Sequence, residues 1–138
     1  ERAAAYRQNQ GVDAAGLAMA VVVQKLVEAE AAGVLFTRDP MDADGKTMLV
    51  EGSWGLGEAV VSGRVQPDRF KLDRATGYVL ERHLGLKSVR VTKRGEEHVP
   101  PAGQQQFCVS DTALSQLAEL GRKVEDFYRD PRDIEWAY

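Results

Sequence analysis

The amino-acid sequence predicts an α+β fold, in which a mostly antiparallel sheet is accompanied by two or three helices. Two observations support this prediction. Residues 67–99 contain short runs in which apolar and polar side chains alternate, as is typical of antiparallel strands with one solvated face. Residues 111–130 instead repeat their apolar side chains at helical spacing. With 138 residues, the chain can bury one sizeable core, and nothing indicates a second independent one.

The composition is that of an ordinary globular protein, with 43% apolar and 28% charged residues. The net charge of −3 gives no basic footprint, so we expect no nucleic-acid partner. No apolar run has the length of a membrane span, so no membrane contact is expected either. The single cysteine, Cys108, excludes an internal disulfide and a cysteine-based zinc cluster. We predict a packed, reduced thiol, which is consistent with a cytoplasmic location.

The first 50 residues are predicted to form one helix and three strands. Residues 1–10 are alanine-rich and charged, which favours a helix before a loop. Residues 17–27 are almost continuously apolar and rich in valine, which favours a central strand covered on both faces. The apolar run 33–37 predicts a second strand. Turn residues at 42–46 precede a third strand at 47–50, and we expect these two strands to form a hairpin.

A glycine-rich stretch follows the third strand, with Gly52, Gly55 and Gly57 within six residues. Glycine permits positive φ and close backbone approach, so a strand, a glycine-rich bend and a helix start suit N–H groups aimed at a ligand. The third glycine of a dinucleotide fingerprint is absent, and no Lys-Ser or Lys-Thr completes a phosphate loop. On the residues alone, a ligand-contacting loop and a purely structural turn are both open.

Four short strands are expected in the middle of the chain. In the first of them, Phe70 and Leu72 share one face, and Lys71 and Asp73 share the other. The runs are 67–73, 78–82, 88–92 and 97–99. Residues 100–106 are predicted to be a loop.

A long helix is predicted next, capped by Ser110 or Asp111 and ended before Pro131. Gly121 on its inner face indicates close packing against a neighbouring element. Its apolar stripe is predicted to contain Leu114, Leu117, Val124 and Phe127.

Residues 133–138 alternate as a final strand and place Asp133 and Glu135 on one face. Carboxylates about 7 Å apart at Cα suit Mg²⁺, which takes oxygen ligands. The alternative is a solvated strand face with Arg132 as a local partner. His83 and His98 lack the spacing of a metal site and are expected at the surface.

Residues 52–58, Gly-Ser-Trp-Gly-Leu-Gly-Glu, together with 61–63 and 67–68, resemble the ATP-grasp domain of the phosphoenolpyruvate synthase and pyruvate phosphate dikinase family. Rifampin phosphotransferases share this domain. Residues 21–27, 33–40 and 133–136 match further motifs in the expected order. The resemblance implies a helix and hinge strand at 1–27, leading from the other lobe. It also implies an ATP-grasp nucleotide-binding subdomain at 28–138, truncated at both ends.

The same resemblance implies site residues for ATP and Mg²⁺. It places Gln24, Leu26 and Val27 around the adenine, although an incidental glutamine at a strand end is the alternative for Gln24. It places Gly33, Glu51, Gly55, Gly57 and Glu58 along the ribose and phosphates. Glu58 also has a structural explanation, because a carboxylate at a helix start benefits from the helix dipole. The metal ligands it implies are Glu135 and, more weakly, Asp133.

The activity that the resemblance implies is transfer of phosphate from ATP, through a phosphohistidine on a separate domain, to pyruvate. A rifampin phosphotransferase or another dikinase is the alternative within the family, since the acceptor is bound by other domains. A non-catalytic nucleotide-binding or regulatory module is the alternative outside it. No catalytic residue is assigned in this chain, because the family's basic lobe, its Gln-x-Arg-Pro segment and its histidine fall outside these residues. The full-length parent is expected to act in the cytoplasm, with a homodimer as one arrangement.

Overall fold

The computed structural model describes residues 21, 23 and 25–138. This part of the chain has the predicted α+β class, with seven strands and three helices. Strand order in the main sheet is β4-β3-β2-β1-β7, every neighbouring pair being antiparallel, and β5 and β6 form a separate ribbon. The elements are β1 Ala31–Phe36, β2 Thr47–Trp54, α1 Glu58–Val61, β3 Asp68–Asp73, β4 Val79–His83, β5 Val89–Thr92, β6 Gly95–His98, α2 Pro101–Gln104, α3 Asp111–Tyr128 and β7 Asp133–Ala137.

The predicted hairpin of β1 and β2 is confirmed, and its register brings two glycines face to face. Gly33 lies opposite Gly52, and a Cβ on Gly33 would lie only 2.7 Å from the Gly52 Cα. On the other side of Gly52, a Cβ would lie 2.7 Å from Cζ2 of Trp136. Both glycines are therefore required by packing within the sheet.

Helix α3 covers one face of the main sheet and closes the core. Leu35, Val50, Phe70 and Leu114 are fully buried between them. Ser110 caps the helix as predicted, its Oγ accepting from the Ala113 N–H at 3.2 Å. The opposite side of the sheet, which we call the open face, carries the side chains that alternate with the core residues. Its members include Ala32, Val34, Glu51, Arg69, Asp133, Glu135 and Ala137.

The predicted close packing of Gly121 is confirmed, since a Cβ there would lie 2.7 Å from Cδ2 of Leu35. The prediction that Phe127 joins the apolar stripe is wrong, because its side chain is 80% exposed. At about 100° per residue, Phe127 lies about 140° around the helix from Leu114. Instead, its ring packs edge-on against Tyr128, with centroids 5.0 Å apart.

We expect Gly121→Val to lower the free energy of unfolding by about 1–3 kcal/mol, since overpacking against Leu35 outweighs the gain in helix propensity. Chemical denaturation followed by circular dichroism measures this change. Gln116→Val, at an exposed position of the same helix, is the matched control and should stay within about 0.5 kcal/mol of wild type. Equal stability of the two variants would contradict the packing of Gly121 on the sheet.

Two further predictions differ from the structure. Residues 101–104 form helix α2 rather than a loop, because Pro101 fits the first turn of a helix. The indole N–H of Trp54 donates to the Gly103 carbonyl at 2.9 Å and holds this helix against β2. The central strand at 17–27 lies mostly outside the described residues. Where described, at 21, 23 and 25–27, it forms no strand and is exposed, so the prediction is wrong there. Valine favours a strand only when a neighbouring strand is present to pair and pack with.

The predictions for the two histidines and the cysteine agree with the structure, whereas the helix predicted at 1–10 lies outside the described residues. His83 and His98 are exposed. Cys108 is buried as a free thiol, and burial is the main cause that raises the pKa of this group, with the carboxylate of Asp68 adding to the effect. The thiol is therefore neutral, in keeping with its place in the core.

Candidate functional site

A pocket of about 630 Å³ opens on the open face of the sheet, at the end where β1 and β7 meet helix α1. Its floor is the sheet, one wall is the glycine loop with α1, and the other wall is the segment 25–29. The lining residues are Lys25, Leu26, Val27, Ala29, Ala32, Gly33, Leu56, Gly57, Glu58, Val61, Ser62, Glu135, Trp136 and Ala137.

The floor is deep because small residues face each other across two strands. Ala32 of β1 lies directly opposite Ala137 of β7, so both methyl groups point to the open face. Two residues along the strand, Glu135 lies opposite Val34 and projects from the same face. The pocket therefore combines an apolar floor with one carboxylate at its side.

The glycine loop, residues 55–57, forms the upper wall with two glycines in different roles. Gly55 has a φ of +81°, and a Cβ there would collide with the carbonyl oxygen of Val91 in the ribbon. Gly57 has ordinary helical angles, φ −62° and ψ −15°, and a Cβ would be in ordinary contact with the Ala32 Cβ at 3.7 Å and the Gly33 backbone nitrogen at 4.0 Å. Gly55 is thus required by the fold, whereas the missing side chain of Gly57 keeps the pocket open.

Two of the predicted carboxylates, Glu58 and Glu51, form ion pairs on this side of the molecule. Glu58 begins α1 as predicted, and its Oε1 accepts from Nη2 of Arg64 at 3.2 Å. Glu51, on β2, lies opposite Val34 of β1, and its Oε1 pairs with Nε of Arg69 at 2.8 Å.

Glu51 and Glu135 thus flank Val34 on the open face, about 10 Å apart at Cα by strand spacing. Asp133 projects from the same face of β7 as Glu135 but lies opposite Phe36, further from the pocket. Within residues 25–138, no cluster of three histidine, cysteine or carboxylate side chains has the geometry of a metal site. A metal ion here would have one or two carboxylate ligands from the described residues.

The structure brings most of the predicted site residues together. Leu26, Val27, Gly33, Gly57, Glu58 and Glu135 all line the pocket. Glu51, Gly55 and Asp133 lie near it without lining it, and Gln24 lies outside the described residues.

Eight lining residues were not predicted as site residues: Lys25, Ala29, Ala32, Leu56, Val61, Ser62, Trp136 and Ala137. The one local signal was Lys25, a charge that interrupts an apolar run. Ala32 and Ala137 carried no signal, because their pairing depends on the register of distant strands.

All 138 residues match the family described as the pyruvate phosphate dikinase AMP/ATP-binding domain. The chain belongs to this family. The resemblance that the sequence motifs indicated is thereby confirmed.

Curated relatives include proteins named phosphoenolpyruvate synthase and proteins named rifampicin phosphotransferase. The chain is 44% identical over 140 residues to a probable phosphoenolpyruvate synthase of Methanothermobacter thermautotrophicus, covering 99% of this chain and 20% of the relative. It is 36% identical over 148 residues to the phosphoenolpyruvate synthase of Pyrococcus furiosus, covering 99% and 18%. A rifampicin phosphotransferase of Streptomyces sviceus is 41% identical over 142 residues, covering 99% and 16%. The chain thus spans a fifth or less of the length of these relatives.

None of the helices in the described part of the chain is both long enough and apolar enough to cross a bilayer.

Proposed function

We propose that this chain binds ATP in the pocket on the open face, as the nucleotide-binding part of a longer ATP-dependent phosphotransferase. The observation that supports this most directly is that six residues predicted for ATP or metal contact line one pocket. They come from four separate parts of the sequence: 26–27, 33, 57–58 and 135. A volume of about 630 Å³ also lies within the range of pockets that bind small molecules.

The pocket suggests how the nucleotide is oriented. Leu26 and Val27 would pack against the adenine, and exposed backbone groups in this segment could read its polar edge. The phosphates would lie toward Gly57 and Glu135, over Ala32 and Ala137. In this arrangement, the antiparallel sheet is one half of an ATP-grasp cleft. Residues 1–27 would lead from the other lobe, and residues 28–138 would form the nucleotide-binding subdomain.

The charges of the pocket fit a nucleotide bound with Mg²⁺. Among the lining residues, Glu58 and Glu135 are acidic, and Lys25 is basic. Glu58 is paired with Arg64, so Glu135 is the carboxylate that would repel a triphosphate unless a divalent cation lay between them. Magnesium is usually held by one or two carboxylates together with phosphate oxygens and water, which matches Glu135, with Asp133 as the weaker second ligand. When bound, Mg²⁺ would neutralise charge on the phosphates during transfer.

Lys25 is the basic group that the described lining of the pocket would supply to the phosphates. Its ammonium is a compact charge on a flexible stem and can follow a phosphate oxygen across the mouth of the pocket. One lysine does not balance a triphosphate, so further basic residues would come from the other lobe. Phosphoryl transfer depends mainly on positioning and charge neutralisation, and both would be completed there.

We propose that the whole protein passes phosphate from ATP, through a phosphohistidine domain, to pyruvate. Its similarity to proteins named phosphoenolpyruvate synthase supports this proposal. The second candidate is a rifampin phosphotransferase, which the relative from Streptomyces sviceus supports at 41% identity. The acceptor would be bound by parts of the polypeptide other than this pocket. A homodimeric parent and a cytoplasmic location stay predictions.

Calorimetric titration with MgATP tests the nucleotide site directly. We expect the 138-residue chain to bind MgATP with a Kd near millimolar, or about −4 kcal/mol, because half a cleft supplies half the contacts. We expect no turnover of ATP by this chain. Turnover by a clean preparation would contradict the assignment of the missing groups to the other lobe.

A matched pair of variants locates the site. Ala137→Leu would fill the floor of the pocket at an exposed position, so binding should be lost while the melting temperature is retained. Ala102→Leu, at an exposed position in α2, is the control and should bind as wild type does. Equal binding by Ala137→Leu and wild type would place the nucleotide elsewhere.

A further inference from the structure

The ribbon of β5 and β6 contacts both walls of the pocket. On the glycine-loop side, the Leu56 N–H donates to the Val91 carbonyl oxygen at 2.8 Å, and Gly55 forms a parallel bridge with Val91. On the opposite wall, Lys93 in the ribbon turn pairs with Glu28 at 2.9 Å. The ribbon therefore joins two segments that face each other across the pocket.

A small hydrophobic cluster strengthens the contact between the ribbon and the glycine loop. Ala59 of α1, Val65 and Val91 are buried together, apart from the main core. A charged contact lies at its edge, because Arg64 approaches Glu58 of α1 at 3.2 Å and Glu96 of β6 at 3.9 Å. Backbone bonds, apolar packing and charge thus all connect α1 to the ribbon.

A buried ion pair holds the start of the ribbon against the main sheet. Asp68 of β3 and Lys87, two residues before β5, are both 0% exposed, and the Lys87 Nζ lies 2.5 Å from Oδ1 of Asp68. Asp68 also accepts from the Gly85 N–H at 2.9 Å and the Cys108 N–H at 2.8 Å. Lys87 also donates to the Gly85 carbonyl at 3.2 Å.

The buried pair fixes the position of the ribbon, because both charges are shielded from water and are stabilised only by their partners in the protein. A charge taken out of water is tolerated only where partners of good geometry surround it. Within the described structure, the Lys87 ammonium donates to Asp68 and to the Gly85 carbonyl, and these bonds hold it in place. The chain that enters β5 is therefore held at one position relative to β3.

We propose that the Asp68–Lys87 pair, acting through the β5–β6 ribbon, positions the glycine loop for nucleotide binding. Asp68 and Lys87 are then positioning residues, since neither lines the pocket. This inference rests on the proposed function and extends it to an element outside the pocket. Glycine-rich loops lose much conformational freedom on ordering, so a loop already held by the ribbon binds ligand at a lower entropic cost.

The test combines two measurements on the 138-residue chain. Hydrogen exchange of the Leu56 amide reports the bond to Val91, and titration with MgATP reports binding. In Lys87→Met, which keeps the length of the side chain and removes its charge, we expect Leu56 to exchange at least about tenfold faster. The Kd for MgATP should rise by about tenfold or more as the loop loses its ordered position. Amides in the middle of α3 should exchange as in wild type.

Two further variants make the test decisive. Lys87→Met leaves Asp68 charged and buried, so the chain could lose its fold as a whole, and α3 amides would then exchange faster too. If Lys87→Met unfolds, the double variant Asp68→Asn with Lys87→Met replaces it in the test. The double variant removes both charges while keeping side chains of similar shape. Arg82→Met breaks the exposed Arg82–Asp111 pair, 2.8 Å long, between β4 and α3. It is the matched control and should change neither Leu56 exchange nor the Kd.

The outcomes separate this inference from the proposed function. Leu56 exchange and a Kd that both stay at wild-type values in a folded double variant would overturn the inference. Faster Leu56 exchange with an unchanged Kd would overturn it as well, because loop position would then not matter for binding. If the wild-type chain binds no MgATP, the proposed function is wrong, and so is the assignment of a nucleotide as the ligand of the glycine loop. Leu56 exchange would in that case decide whether the pair positions the loop.

Discussion

Glu135→Gln, in the longer phosphotransferase that we propose, is expected to slow phosphoryl transfer from ATP by about two orders of magnitude or more. Glutamine keeps the shape of the side chain and removes the charge that would hold a metal ion beside the phosphates. Such charge neutralisation is worth several kcal/mol in the transition state, and each 1.4 kcal/mol is about tenfold in rate. The fold should survive, because the Glu135 side chain is exposed on the open face. Single-turnover formation of the phosphoenzyme over a Mg²⁺ titration measures the effect.

Asp133→Asn is the matched control for this experiment. Its carboxylate projects from the same strand face, but it lies opposite Phe36 and does not line the pocket. We expect a smaller loss of rate and a smaller change in metal dependence than for Glu135→Gln. If Glu135→Gln matches wild type in both rate and metal dependence, the two carboxylates are a solvated strand face and the metal assignment is wrong.

Gly57→Val is expected to abolish nucleotide binding while leaving the fold intact. The backbone of Gly57 has helical angles that valine adopts, and the first side-chain atom would lie no closer than 3.7 Å to the Ala32 Cβ and 4.0 Å to the Gly33 backbone nitrogen. The rest of the isopropyl group would occupy space over the pocket floor where the phosphates are proposed to lie. Calorimetric titration with MgATP measures binding, and thermal unfolding measures stability.

Gly63→Ala should show the opposite pattern and serves as the control. Gly63 has a φ of +70°, where alanine is strained by about 1 kcal/mol, and no atom lies within 4 Å of a Cβ built there. This variant should lose stability and keep its affinity for MgATP. Wild-type affinity in Gly57→Val would show that the glycine loop is a structural turn and not part of a nucleotide site.

The amino-acid sequence by itself predicted those features that depend on neighbouring residues. Alternation placed Phe70 and Leu72 on the core side of β3, and Lys71 on the other side, as observed. The sequence also predicted the capping role of Ser110 and the close packing of Gly121. Both follow from helix geometry within a few residues. The family was identifiable because four motifs occurred in order along the chain.

Two local patterns gave wrong predictions, for different physical reasons. Phe127 has apolar spacing, yet it lies on the outer side of α3, because small angular steps accumulate along a helix. The valines of 21–27 have strand propensity, yet those described form no strand, since no partner strand lies beside them in the described structure.

Tertiary structure alone decided how the pocket is built and what supports it. Its floor depends on the register that sets Ala32 against Ala137, and no pattern within either strand specifies the pairing of β1 with β7. The sequence did not predict the burial of Asp68 and Lys87 either, because charged residues usually indicate a solvated surface. A charge can be buried only when its partner and hydrogen-bond donors converge on it. That convergence exists only after β3, the chain entering β5 and Cys108 have come together.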